Sequence, residues 1–183
     1  MKIILLSGHA QAGKDTTANY LKKKLEEQGK VVIIDRFAKY IKMYLRQMGW
    51  DGVTKDDYYR NLLQKLGTEV IKQDLNFKCF HAKRLCEDIQ ILDKTFDIDY
   101  ILVSDARFRD EVYTVKSMFP DDCITVRINR LGFDNGLGEL NKHVSETDLD
   151  DFDFDYTIYN QSLGSLYDET DRVLGKVLGY KKS

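Results

Sequence analysis

The chain has 183 residues, 43% of them hydrophobic and 32% charged, the balance of one globular domain rather than of a disordered or membrane-embedded chain. A formal net charge of −2 gives no overall basic bias, which argues against a dedicated nucleic-acid-binding protein. The apolar run at 3–6 stops at Ser7 and Gly8, too short for a spanning helix or a signal-peptide core, so no membrane association and a cytoplasmic location are expected.

In chain order, a buried apolar strand is expected at 2–7, and 15–28 carries Ala18, Leu21 and Leu25 at helical spacing before Gly29 stops the helix. A second strand follows at 31–34, then a helix at 38–48 and a polar, tyrosine-rich loop at 50–59. Helices are expected at 60–72 and 80–91, a third strand at 100–103, a helix at 111–118 and a fourth strand at 124–128. The single proline, Pro120, falls in the loop before that strand. Residues 131–146 contain Gly132, Gly136 and Gly138 without a strong period, which suits a loop or lid. A strand at 156–159 and a helix at 163–178 close the pattern. Short apolar strands alternating with helices imply an α/β, three-layer domain with a parallel sheet covered on both faces. Asp148, Asp150, Asp151, Asp153 and Asp155 alternate with Leu149, Phe152 and Phe154 and read as a solvated approach to the last strand rather than as a metal site. Cys79, Cys86 and Cys123 lack paired ligand spacing and read as buried free thiols.

Gly8-His9-Ala10-Gln11-Ala12-Gly13-Lys14-Asp15-Thr16 follows the first strand and opens the first helix, the context that makes a phosphate-binding loop a specific signal. Gly8 and Gly13 permit the backbone angles that aim successive amide N–H groups at phosphate oxygens, and Lys14 supplies a flexible cation for the β- and γ-phosphates. Gly8, Ala12, Gly13, Lys14, Asp15, Thr16 and Thr17 thus form the expected ATP site. The residue after Lys14 is Asp15, not the usual hydroxyl, so Mg²⁺ falls to Thr16 first and Asp15 second. His9 either donates to a phosphate or faces solvent.

The third strand runs into Ser104-Asp105-Ala106-Arg107, at the sheet edge where open α/β folds bind ligands. Asp105 is expected to hold a water of the metal shell and Arg107 to clamp a phosphate; a helix cap and a surface ion pair are the bland alternatives. Arg36, Lys39, Lys42, Arg60 and Lys72, with Phe37, Tyr58 and Tyr59, lie between the second and third strands, where cations bind phosphate and rings stack a base. Arg127 and Arg130 end the fourth strand beside the glycine-rich loop, and a lid arginine there closes over the transferring group and excludes water. There is no serine-type triad, no H-E-x-x-H and no H-R-D loop. A phosphate acceptor is already anionic and needs no general base, so Lys14, Arg107 and Arg130 suffice as catalytic candidates.

The G-x-x-x-x-G-K-D-T of Gly8 to Thr16, Arg60-x-x-x-Gln64-x-x-Gly67-Thr68-Glu69, Asp105-x-Arg107-Phe108-x-x-Glu111 and His143-x-Ser145-Glu146 together resemble the phage-type deoxynucleoside monophosphate kinases, which are adenylate-kinase-like P-loop kinases. The resemblance runs from the first strand to Asn160. It implies a five-stranded parallel sheet, an acceptor-binding insertion at about 36–95, a lid at about 130–147, and ATP with Mg²⁺ as phosphoryl donor. By position, Gly13, Lys14, Asp15 and Thr16 would hold ATP and the metal; Arg60, Gln64, Thr68 and Arg107 would face a deoxynucleoside monophosphate, joined by Arg36, Phe37 and Lys42; Arg130, His143 and Glu146 would belong to the lid. A small-acceptor kinase of the phosphomevalonate kinase type and a nucleotide-binding module without turnover remain open, as does a homodimer.

Overall fold

A computed structural model describes residues 1–54, 56–134, 136, 138 and 142–178. Five parallel strands, β1 (Lys2–Ser7), β2 (Val32–Asp35), β3 (Tyr100–Ala106), β4 (Cys123–Arg130) and β5 (Tyr156–Asn160), form one sheet in the order β2-β3-β1-β4-β5. The central β1 pairs with β3 on one side and β4 on the other, Ile3 opposite both Ile101 and Cys123. Alternation along β1 sends its side chains to two separate cores. Ile4 and Leu6 pack with Leu21 and Leu25 of α1 (Lys14–Glu26) and with Leu166 and Val173 of α7 (Leu163–Leu178). Ile3 and Leu5 pack with Leu85 and Ile89 of α4 (Phe80–Thr95) and with Val112 and Val115 of α5 (Arg109–Met118). The result is the three-layer α/β architecture expected from the sequence.

Two shorter helices, α2 (Lys39–Gln47) and α3 (Asp57–Gln64), lie between β2 and α4, and α3 continues into a π-helical segment, Lys65–Asp74. The sequence suggests a plain helix over 60–72; the actual helix starts earlier, where Asp56 caps Tyr59 N–H at 2.9 Å, and changes winding at Lys65. Of the expected lid, residues 135, 137 and 139–141 fall outside the described ones; the described part includes the one-turn α6 (Val144–Thr147). No described helix is long and apolar enough to cross a membrane. The acidic run is solvated as expected, with Asp150, Asp151, Asp153 and Asp155 exposed, but three of its carboxylates are also tied to the fold. Asp148 accepts from Arg109 N–H at 2.7 Å, Asp150 pairs with Arg127 at 2.6 Å, and Asp155 accepts from the backbone and hydroxyl of Thr125. These carboxylates lace the segment before β5 to β4 and α5. The three cysteines are free, and burial pushes the Cys86 thiol up to about 11.

Candidate functional site

The loop between β1 and α1 stands at the carboxyl edge of the central strand. Gly8 has φ 150°, and a Cβ there would meet the Ile128 carbonyl oxygen at 2.4 Å; Gly13 has φ 109° and would press on the Asn160 amide at 2.9 Å. Both positions therefore demand glycine. From β5, Asn160 donates its side-chain N–H to the Ala12 carbonyl at 2.8 Å and ties the loop to the sheet. Lys14 folds back into the loop, its Nζ donating to the carbonyls of Gly8 at 2.7 Å and His9 at 2.8 Å. Burial, with Arg107 adding to it, lowers the Lys14 pKa to about 8, so the ammonium is still the main form at pH 7.

A carboxylate meets the backbone of this loop. Glu146 Oε2 accepts from Ala10 N–H at 2.8 Å, and Oε1 pairs with Arg107, whose Nη1 also donates to the Ser145 carbonyl at 3.2 Å. The short helix that carries Glu146 is capped by His143, whose Nδ1 accepts from Ser145 N–H at 3.2 Å. Gln64 reaches the Ser145 hydroxyl from the opposite wall at 3.4 Å. Arg36 binds Asp15 at 2.8 Å, and Ser104 donates to the same oxygen at 2.9 Å. Burial works against that carboxylate, yet these partners hold it below the usual range.

Asp105 does not cap the helix that follows β3. Its two oxygens accept from Phe37 N–H at 2.8 Å and Ala38 N–H at 3.1 Å, clamping the turn between β2 and α2. Its burial raises the carboxyl pKa despite those amides. The start of α5 is capped instead by Glu111, which accepts from the backbone of Arg107 at 3.0 Å and Phe108 at 3.1 Å.

One cavity of about 410 Å³ runs from Lys14 and Asp15 into the space enclosed by α2, α3, the π-helical segment and α4. It collects Arg36, Phe37, Lys42, Arg60, Gln64, Thr68 and Arg107, all singled out in the sequence, together with Asp105 and Glu146. Tyr59 lines it; Tyr58 is exposed and does not. Thr16 is half-buried just outside it, and Thr17 is fully buried with its hydroxyl unpartnered. Arg130 is not a lining residue: it donates to the Gln11 carbonyl at 3.0 Å and lies 3.5 Å over the Phe133 ring. His9 pairs with Asp150 at 3.1 Å.

The cavity also holds residues that sequence reasoning missed. Trp50, 7% exposed, is anchored by its indole N–H to the Thr54 carbonyl at 3.0 Å and packs 5.9 Å from Tyr59. Phe108 lies under Lys72, which is buried and paired with Asp110 at 3.0 Å and Glu111 at 3.6 Å. Ile41 and His81 complete the inner end. Trp50 lies in a segment whose polarity reads as loop, while Ile41 and His81 fit the inward stripe of a helix; aromatic content at 50–59, which had pointed to Tyr59, was the one usable signal.

A parallel sheet in this order, a glycine loop that opens the first helix, and a cavity adjoining that loop are the features of the P-loop kinase fold. No protein-family model matches the chain. It is 28% identical over 177 residues to the phosphomevalonate kinase of Drosophila melanogaster, an alignment covering 87% of this chain and 88% of that one. Its fold matches the Mycobacterium tuberculosis APS kinase CysC in complex with AMPPNP and APS with a TM-score of 0.58 at 13% identity, over 96% of each chain. A cysteine-to-alanine variant of that kinase gives 0.53 at 14% identity, over 94% of this chain and 96% of that one. At such identities the structural likeness establishes the fold.

Proposed function

We propose that the protein transfers the γ-phosphoryl group of ATP to the phosphate of a deoxynucleoside monophosphate. The observation that carries this reading is the continuity of one cavity from the phosphate loop, past the cations Arg36, Lys42, Arg60 and Arg107, to walls made by Phe37, Trp50, Tyr59 and Phe108. Cations suit the two phosphates, and aromatic faces suit a base. In this reading residues near 36–95 form the acceptor insertion and those near 130–147 the lid.

ATP would take the loop amides and Lys14 from their internal partners. The incoming phosphates displace Glu146 from Ala10 N–H and Arg107, and Lys14 exchanges two carbonyls for phosphate oxygens. Arg107 then bridges donor and acceptor phosphates as a planar, permanently charged donor, which neutralises the repulsion between two anions and the charge that develops in transfer. Arg130 acts from the loop side through Gln11. The acceptor phosphate needs no base, and Asp105, committed to two backbone amides, is not asked to be one.

Thr16 and Asp15 fit the role of metal-holding residues. Both stand in the first turn after the loop, and Asp15 is a partly exposed carboxylate beside Lys14 in the cavity wall. Asp105 has less to offer with both oxygens engaged. Bound Mg²⁺ would supply charge neutralisation on the β- and γ-phosphates.

A second acceptor, phosphomevalonate, is favoured by the likeness to the Drosophila melanogaster enzyme. ADP release measured with each of the four common deoxynucleoside monophosphates and with phosphomevalonate separates the two readings. Turnover with at least one deoxynucleotide and none with phosphomevalonate is expected; the reverse result overturns the deoxynucleotide, and no acceptor-dependent ADP overturns both.

A further inference from the structure

His81, on the second residue of α4, is 2% exposed, and neither of its ring nitrogens has a hydrogen-bond partner. The backbone of Gly67 approaches the ring but closes no bond of proper geometry with it. Phe80 packs edge-on at 5.3 Å, and Ile41 covers Gly67 so closely that a Cβ there would fall 2.6 Å from its Cδ1. Against Phe80 and Ile41 a phenyl ring would fill the position with no polar group to desolvate. An imidazole with both nitrogens idle is instead a cost that the unliganded chain leaves unmatched. Nη1 of Arg60, which lines the same cavity, is a second buried donor in the same condition.

We infer that His81 is a specificity-determining residue, whose imidazole hydrogen-bonds the polar edge of the acceptor's nucleobase at the inner end of the cavity. The inference rests on the deoxynucleotide reading given above. Burial and, after it, the Lys72 ammonium push the His81 pKa down to about 4, so the ring is uncharged at neutral pH and offers one donor and one acceptor. That pair matches the rim of a base, where donors and acceptors alternate, and matches poorly a carboxylate or phosphate, which call for a cation. Ile41 and His81 both line the cavity, so a base that enters it meets the ring. A site that hydrogen-bonds a polar substrate edge rejects analogues lacking it far more sharply than an apolar pocket of the same shape does.

The test compares wild type, His81→Phe and His81→Gln in ADP release across the four deoxynucleoside monophosphates. His81→Phe is expected to raise KM for the preferred deoxynucleotide roughly tenfold with kcat within about twofold, and to flatten the ranking among bases. His81→Gln, which keeps a donor and an acceptor, is expected to restore part of the ranking. In wild type, side-chain ¹⁵N resonances of His81 should shift when the preferred deoxynucleotide is added with a non-hydrolysable ATP analogue, a readout independent of how the variants fold. An unchanged ranking in His81→Phe, a loss shared equally by kcat and by every base, or unmoved ¹⁵N resonances overturns the inference while wild type stays active. Absence of turnover by wild type with any deoxynucleotide is the separate failure of the underlying reading.

Discussion

The two halves of the cavity differ in which of their polar groups go unpartnered. On the loop side Lys14 rests on two carbonyls, Arg36 on Asp15, and Arg107 and the Ala10 amide on Glu146, so the charges there are held by the chain itself. At the inner end Nη1 of Arg60 and both nitrogens of His81 have no partner. A half with internal stand-ins keeps its shape in the absence of ligand and binds by exchange. A half with idle groups gains its hydrogen bonds only when the right molecule enters, and that is where selectivity is expected to reside.

The sharpest way to break this contrast is Lys14→Ala. Turnover should fall about a hundred- to a thousandfold, because a charge contact made to the transferring group is lost, while the thermal midpoint barely moves. Near-normal turnover would remove the loop from its role. The next effect is one of pH. Burial pushes the Glu111 carboxyl from its ordinary 4.5 up to about 7, with Lys72 opposing. Between those values the folded protein holds more protons than the unfolded chain, so this contribution to stability is full below the ordinary value and is lost as pH rises through about 7. Its span is on the order of 3 kcal/mol. Glu111→Gln should therefore flatten the decline in unfolding free energy between pH 5 and 8, measured in urea at fixed ionic strength; an identical slope in both proteins would refute the assignment.

Smaller changes sharpen the division. Arg60→Ala should raise KM for the acceptor by roughly tenfold and leave KM for ATP within about twofold, since the lost guanidinium serves only the inner half. Equal changes in both constants would erase the boundary. Asn160→Ala frees the Ala12 carbonyl from β5 and should cost about 1 kcal/mol of stability with a few-fold rise in KM for ATP alone. A scan of initial rates against each substrate checks both.

The same division decided what could be read from the sequence. The five parallel strands and their covering helices were legible because short apolar runs alternate with helical stripes, and the phosphate loop was legible because its nine residues are neighbours in the chain. The inner half draws Trp50, Ile41, His81 and Phe108 from several separate elements, and each of them alone resembles a loop or core residue. Asp105 shows the limit most clearly: its position at the end of β3 is visible in sequence, yet only the fold brings the Phe37 and Ala38 amides onto its two oxygens. The tethers of the acidic run were hidden for the same reason, because Arg127 and Thr125 lie on β4 and Arg109 on α5, all far from it along the chain.

The change of winding at Lys65 has a consequence for Arg60, Gln64, Thr68 and Lys72, which recur every fourth residue and all line the cavity. In an α-helix four residues overshoot a full turn by about 40°, whereas in a π-helix, at roughly 4.4 residues per turn, they fall short by about 30°. A uniform α-helix would fan the four side chains over about 120°. Turning first one way and then the other confines them to about 65°. Removing a single residue from 65–74 would thus tighten the coil, swing Lys72 away from Asp110 and Glu111, and dismantle a four-rung ladder without altering any rung.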